Sequence, residues 1–106
     1  MTTRIEKIKA MLADEPKDAF LRYCLAMEYS NAAQEEESLR IFAELTSESP
    51  PHVPAFFQAA QLLARLERTE EARTYLRDGI EAARAQGDLH AAGEMAEFLA
   101  QLGQQP

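Results

Sequence analysis

The sequence has no tryptophan, one cysteine, one valine and four glycines in 106 residues, and each scarcity excludes something. Besides Val53 the β-branched residues are four isoleucines and a handful of threonines, with no alternating apolar run of strand length, so sheet architectures are excluded. With Cys24 alone, no internal disulfide forms and no cysteine cage can hold a metal. It lies between Tyr23 and Leu25 in a helical pattern, where a buried, unreactive thiol is expected. Cations are outnumbered: eleven Lys and Arg against eighteen Asp and Glu give a net charge of −7, with no basic stripe. Nucleic acid is excluded as a partner because phosphate binding requires clustered cations, and anionic membranes are disfavoured on the same ground. No segment approaches membrane-spanning length, and Met1-Thr2-Thr3-Arg4-Ile5-Glu6 has no signal-like apolar run, so a cytoplasmic protein is expected. There is no glycine-rich phosphate loop, and Ser30, Ser38, Ser47 and Ser49 have no partnering His-Asp arrangement. His52 and His90 lack metal-ligand spacing and read as solvent-exposed. No catalysis, cofactor or metal is therefore expected.

What is abundant is alanine, leucine, glutamate, glutamine and arginine, the strong helix formers. The length suits a single domain. Thr3 and Glu6 make a capping box before Ile5, Ile8, Met11 and Leu12, and Pro16 ends this first segment. A second helix is expected from about Asp18 to Ser30, then a turn over Asn31-Ala32-Ala33-Gln34, then a third helix from about Glu35 to Glu48. Glu35, Glu36 and Glu37 complement its dipole. Ser49-Pro50-Pro51 is the sharpest break in the chain. The fourth helix opens at Val53-Pro54 and runs to Leu66, with proline tolerated in the first turn. Thr69 reads as the N-cap of a fifth helix from about Glu70 to Gln86, stopped by Gly87. Asp88 caps a sixth that reaches about Leu102, and the last four residues read as a frayed tail. Short connections make consecutive helices antiparallel neighbours.

Slid against itself by 34 residues, the sequence matches in type: Tyr23 falls on Phe57, Ala26 on Ala60, Tyr29 on Leu63, Ser38 on Ala72, Phe42 on Leu76 and Pro16 on Pro50. This period and pattern resemble the tetratricopeptide repeat family. The likeness is carried by Leu25-Ala26-Met27-Glu28-Tyr29, Ser38, Phe42, Leu45 and Pro50, and then by Ala59-Ala60-Gln61-Leu62-Leu63, Ala72, Leu76 and Gly79. It implies an all-α fold, an α-α superhelix or solenoid of about six short antiparallel helices. Residues 1–106 form one domain: 1–16 an N-terminal packing helix, 19–52 a first repeat, 53–86 a second, and 88–102 a C-terminal capping helix. Small residues at Ala26, Ser38, Ala60 and Ala72 let paired helices approach, and Tyr29, Phe42, Leu63 and Leu76 fill the space between pairs. Two departures stand out. Arg84 replaces a repeat-ending proline, and Ala33-Gln34 and Glu67-Arg68 stand where the family often has glycine and aspartate.

Stacked pairs leave one concave surface, and the resemblance implies that the first helix of each pair lines it. The groove-facing candidates are Phe20, Tyr23, Met27, Ser30 and Asn31 in one repeat, with Pro54, Phe57, Gln61, Ala64 and Arg65 in the next. Tyr23 and Phe57 are either anchors for a bound side chain or core aromatics. Lys and Asn, which in some repeat domains grip a C-terminal carboxylate, are replaced by Tyr23, Met27, Phe57 and Gln61, so that clamp is missing. The expected function is a protein-interaction scaffold that binds a basic or apolar segment of another protein, as a monomer or weak homodimer. The alternatives are a self-association module and, more remotely, a small-molecule accessory protein.

Overall fold

In a computed structural model that describes residues 2–103, six α-helices account for the regular structure. They are α1 (Arg4–Asp14), α2 (Ala19–Asn31), α3 (Glu35–Thr46), α4 (Val53–Arg65), α5 (Thr69–Ala85) and α6 (Leu89–Gly103). The tail expected to fray at 104–106 lies outside the described residues. Consecutive helices pack against each other, and the molecule is elongated, 44 × 31 × 18 Å. Its radius of gyration of 14.2 Å exceeds the roughly 13 Å of a compact domain of this length, as expected of a short stack.

The helices begin where side chains satisfy free backbone donors. Thr3 Oγ1 accepts from the Glu6 amide at 3.1 Å, Asp18 Oδ1 from Leu21 at 2.9 Å and Asp88 Oδ1 from Ala91 at 3.1 Å. Only half of the expected capping box forms, because the Glu6 carboxylate takes the Thr3 hydroxyl proton instead of the Thr3 amide. Pro54 sits in the first turn of α4.

One three-residue turn is used three times. Ala33, Glu67 and Gly87 each adopt a left-handed conformation, with φ of 60°, 62° and 77°. In each turn the next amide reaches back to a carbonyl five residues earlier: Gln34 to Tyr29, Arg68 to Leu63, Asp88 to Ala83, all at 2.8 Å. The third residue of the turn then serves as N-cap of the following helix. This corrects the expectation for Thr69, which is the first residue of α5; Arg68 is the N-cap and offers no side-chain oxygen. Gln34 likewise makes no side-chain capping bond. Gly87-Asp88 alone combines a residue without a Cβ penalty and a capping carboxylate. Ala33→Gly and Glu67→Gly are therefore each expected to raise stability by about 1 kcal/mol, measured by chemical denaturation. A loss of stability in both would contradict the turn geometry.

The pairs α2–α3 and α4–α5 are held by close approach. Ala26, Ser38, Ala60 and Ala72 are fully buried, and Phe42, Leu63 and Leu76 are buried between pairs. The Ser38 hydroxyl donates to the Ala26 carbonyl at 2.7 Å, which satisfies a polar group at zero exposure. Across the second pair, Gly79 faces Phe56 and Met95 so closely that a Cβ there would lie 2.6 Å from Phe56 Cβ and 2.6 Å from Met95 Sδ. Charged residues latch the outside: Arg68 joins Glu36 and Glu71, and Arg22 joins Glu48. Arg68 and its two partners lie at the surface, which makes that pair of bridges a register marker more than a source of stability.

The α2 backbone comes close to that of α4, and α4 to α6, whereas the backbones of α1, α3 and α5 stay apart among the described residues, α3 and α5 meeting only through side chains such as Thr46 and Tyr75. Helices draw together on the inner side of a curved stack and spread apart on the outer. The inner face is therefore that of α2, α4 and α6.

Candidate functional site

The inner face is built from one stripe per helix. On α2 Phe20, Tyr23 and Met27 recur at helical spacing, and on α4 Pro54, Phe57 and Gln61 do the same. Tyr23, Pro54 and Phe57 come together in a depression of about 230 Å³, closed on the α6 side by His90, Ala91, Glu94 and Met95. A second hollow of about 170 Å³ adjoins it, lined by Phe57, Glu94, Glu97, Phe98 and Gln101. Phe57 and Glu94 belong to both.

Neither Tyr23 nor Phe57 is fully buried. The Tyr23 ring leans on Phe42 at 6.2 Å and His52 at 5.2 Å, and Phe57 leans on Phe98 at 5.7 Å with planes inclined by 56°. Burial pushes the Tyr23 hydroxyl above its ordinary range, and a hydrogen bond with Gln58 opposes that rise. The remaining candidates are spread out. Arg65 Nη2 donates to Ser30 Oγ at 2.9 Å, tying α4 to α2. Phe20 is 68 % exposed, and Met27 and Ala64 are half-buried against the core. Gln61 faces solvent. Asn31 lies elsewhere, in a shallow surface with Arg4, Glu6 and Gln34, its amide 3.5 Å from Glu28.

Two expectations need correction, the first being Cys24, which is half-buried where a buried thiol is expected. His52 is half-buried, because the turn before α4 folds its ring under Tyr23. Its Nδ1 has no hydrogen-bond partner among the described residues. Burial lowers its basicity; Glu48 works against this shift and Arg22 with it. This favours the neutral imidazole. His90 is exposed, with Nε2 3.4 Å from Glu94.

Sequence reasoning missed the α6 contribution, Ala91, Glu94, Phe98 and Gln101. These recur at three- and four-residue steps; Ala91 and Phe98 fall 34 residues after Phe57 and Ala64, whereas Glu94 and Gln101 fall on Ala60 and Glu67, outside the groove positions. α5 is 17 residues long against 12 in α3, and α6 begins 36 residues after α4 where α4 begins 34 after α2. On the outer side, between α3 and α5, lies a wider depression of about 410 Å³ with Thr46, Phe56, Tyr75 and Asp78. Among the described residues no group of three His, Cys, Asp or Glu side chains is placed to hold a metal, and no helix is long and apolar enough to cross a membrane.

No family model matches the chain, and no curated protein matches it. Two solved structures do. A tetratricopeptide repeat domain protein from Salinibacter ruber, known in solution, shares 31% identity over 85% of this chain and 92% of its own, with a TM-score of 0.79. A Bordetella parapertussis protein, also known in solution, shares 25% identity over 98% of this chain and 90% of its own, with a TM-score of 0.82. The 34-residue repetition, the small residues where paired helices cross and a relative of this identity across nearly its whole length lead to one conclusion: the chain belongs to the tetratricopeptide repeat family.

Proposed function

We propose that this domain binds a short segment of another protein on the inner face of α2, α4 and α6. Tetratricopeptide repeat domains are in general interaction modules and typically non-catalytic, and their neighbourhood supports that general role here. The finer reading rests chiefly on one observation. Tyr23 and Phe57, equivalent residues 34 apart, remain partly open in a common depression while Ala26, Tyr29, Ala60 and Leu63 on the same helices are buried. Large aromatic surfaces kept at a concave site favour recognition, since interface anchors are commonly aromatic side chains seated in pockets. In this reading 19–52 and 53–86 are the two repeats, α1 packs the first of them, and α6 both covers the second and forms the third wall. Pro54 and Phe20 flank the anchors, while the Ser30–Arg65 pair and Met27, Gln61 and Ala64 extend the surface along the stack.

The test selects ligands for the domain from a library of random twelve-residue peptides. Tyr23→Ala and Phe57→Ala are each expected to weaken the selected peptides at least tenfold while circular dichroism shows unchanged helicity. Peptides that bind folded variants as tightly as the parent, or a library that yields no binder, would remove the inner face as the site.

A further inference from the structure

We infer that the inner face is selective for a segment carrying a lysine or arginine close to a large apolar residue. This rests on the peptide-binding reading above and adds the chemistry of the occupant. The two hollows differ in character. The one between Tyr23, Pro54, Phe57 and Met95 has an apolar floor and a volume of about 230 Å³, suited to one leucine-sized or aromatic side chain. The other combines the Phe57 and Phe98 rings with the Glu94 and Glu97 carboxylates and the Gln101 amide.

A cation is the group that satisfies all five. Aromatic faces attract positive charge through the ring quadrupole, carboxylates pair with it, and an amide oxygen accepts its protons. A peptide carboxylate placed there would meet two like charges and two electron-rich ring faces. Neither hollow has Lys or Arg in its lining, so nothing of the protein's own occupies the position. Glu97 forms no ion pair among the described residues, and Glu94 meets only the exposed His90. Elsewhere Arg4, Arg22, Arg40, Arg68 and Arg73 pair with other glutamates, none of them Glu94 or Glu97. The hollows share Phe57 and Glu94, which places the apolar residue and the cation within a few positions of each other along the bound segment.

The experiment compares two series of twelve-residue peptides by fluorescence polarisation, one with a central Leu-x-Lys and one with Leu-x-Glu, other positions being held identical. Peptides of the lysine series are expected to bind at least tenfold tighter than their glutamate counterparts, and to weaken as salt is raised. Glu94→Gln/Glu97→Gln should reduce lysine-series affinity about tenfold. Asp14→Asn/Glu81→Gln, with the same charge change on exposed sites away from both hollows, should leave it unchanged. Equal binding of both series, still lost in Phe57→Ala, would overturn the charge selectivity and leave the inner-face site standing. Equal losses in the two charge variants would reduce the effect to net charge and overturn the inference. Binding of neither series to the folded domain would remove both the selectivity and the site.

Discussion

Phe42→Ala is expected to cost about 3–5 kcal/mol, a large share of the 5–15 kcal/mol that holds a domain of this kind together. Phe42 is 1 % exposed, and its ring packs within the first helix pair, from α3 against Tyr23 of α2. Removing the ring leaves a cavity that helices pinned on both sides cannot collapse into. The thermal midpoint should fall by at least about 12 °C. Phe57, half-buried against Phe98, should cost less than half as much when truncated. Comparable losses at the two positions would place Phe57 in the core and leave the inner face without one of its anchors.

Gly79→Ala is the second large effect, although it adds a single methyl. The added carbon would meet Phe56 Cβ and Met95 Sδ at 2.6 Å each. The thioether can swing away, but Phe56 Cβ is fixed to the α4 backbone, so α4 and α5 must separate. Overpacking of this kind costs roughly 1–3 kcal/mol. Thirty-four residues earlier the corresponding position is Leu45, fully buried. The second pair differs because Phe56 and Met95 fill the space in front of Gly79. Denaturant midpoints of Gly79→Ala and of Gly93→Ala, where a Cβ meets nothing, measure the difference directly. Equal stability of the two variants would contradict the close approach.

The fold was legible because each level of the sequence agreed with the next. Ala26, Ser38, Ala60 and Ala72 recur at the spacing where helices cross, the large residues recur between them, and the prolines and capping carboxylates fall at the ends. What escaped depended on geometry that spacing alone does not carry. Thr69 looked like a cap because threonine favours that role, yet the left-handed turn at Glu67 brings Arg68 to the position first. His52 looked exposed because it lies in a proline-rich turn, but the turn passes beneath Tyr23. The α6 wall of the inner face was hidden for a third reason. Glu94 and Gln101 fall 34 residues after Ala60 and Glu67, which are not groove positions, so the comparison that aligned α2 with α4 did not mark them.

The most direct test of an inner-face binding site is amide chemical-shift mapping of the isotope-labelled domain on addition of a Leu-x-Lys peptide. The largest changes are expected on Tyr23, Phe57, Glu94 and Phe98 and their neighbours, on α2, α4 and α6. Changes concentrated instead between α3 and α5, around Thr46, Tyr75 and Asp78, would contradict it and move the binding surface to the outer side of the stack.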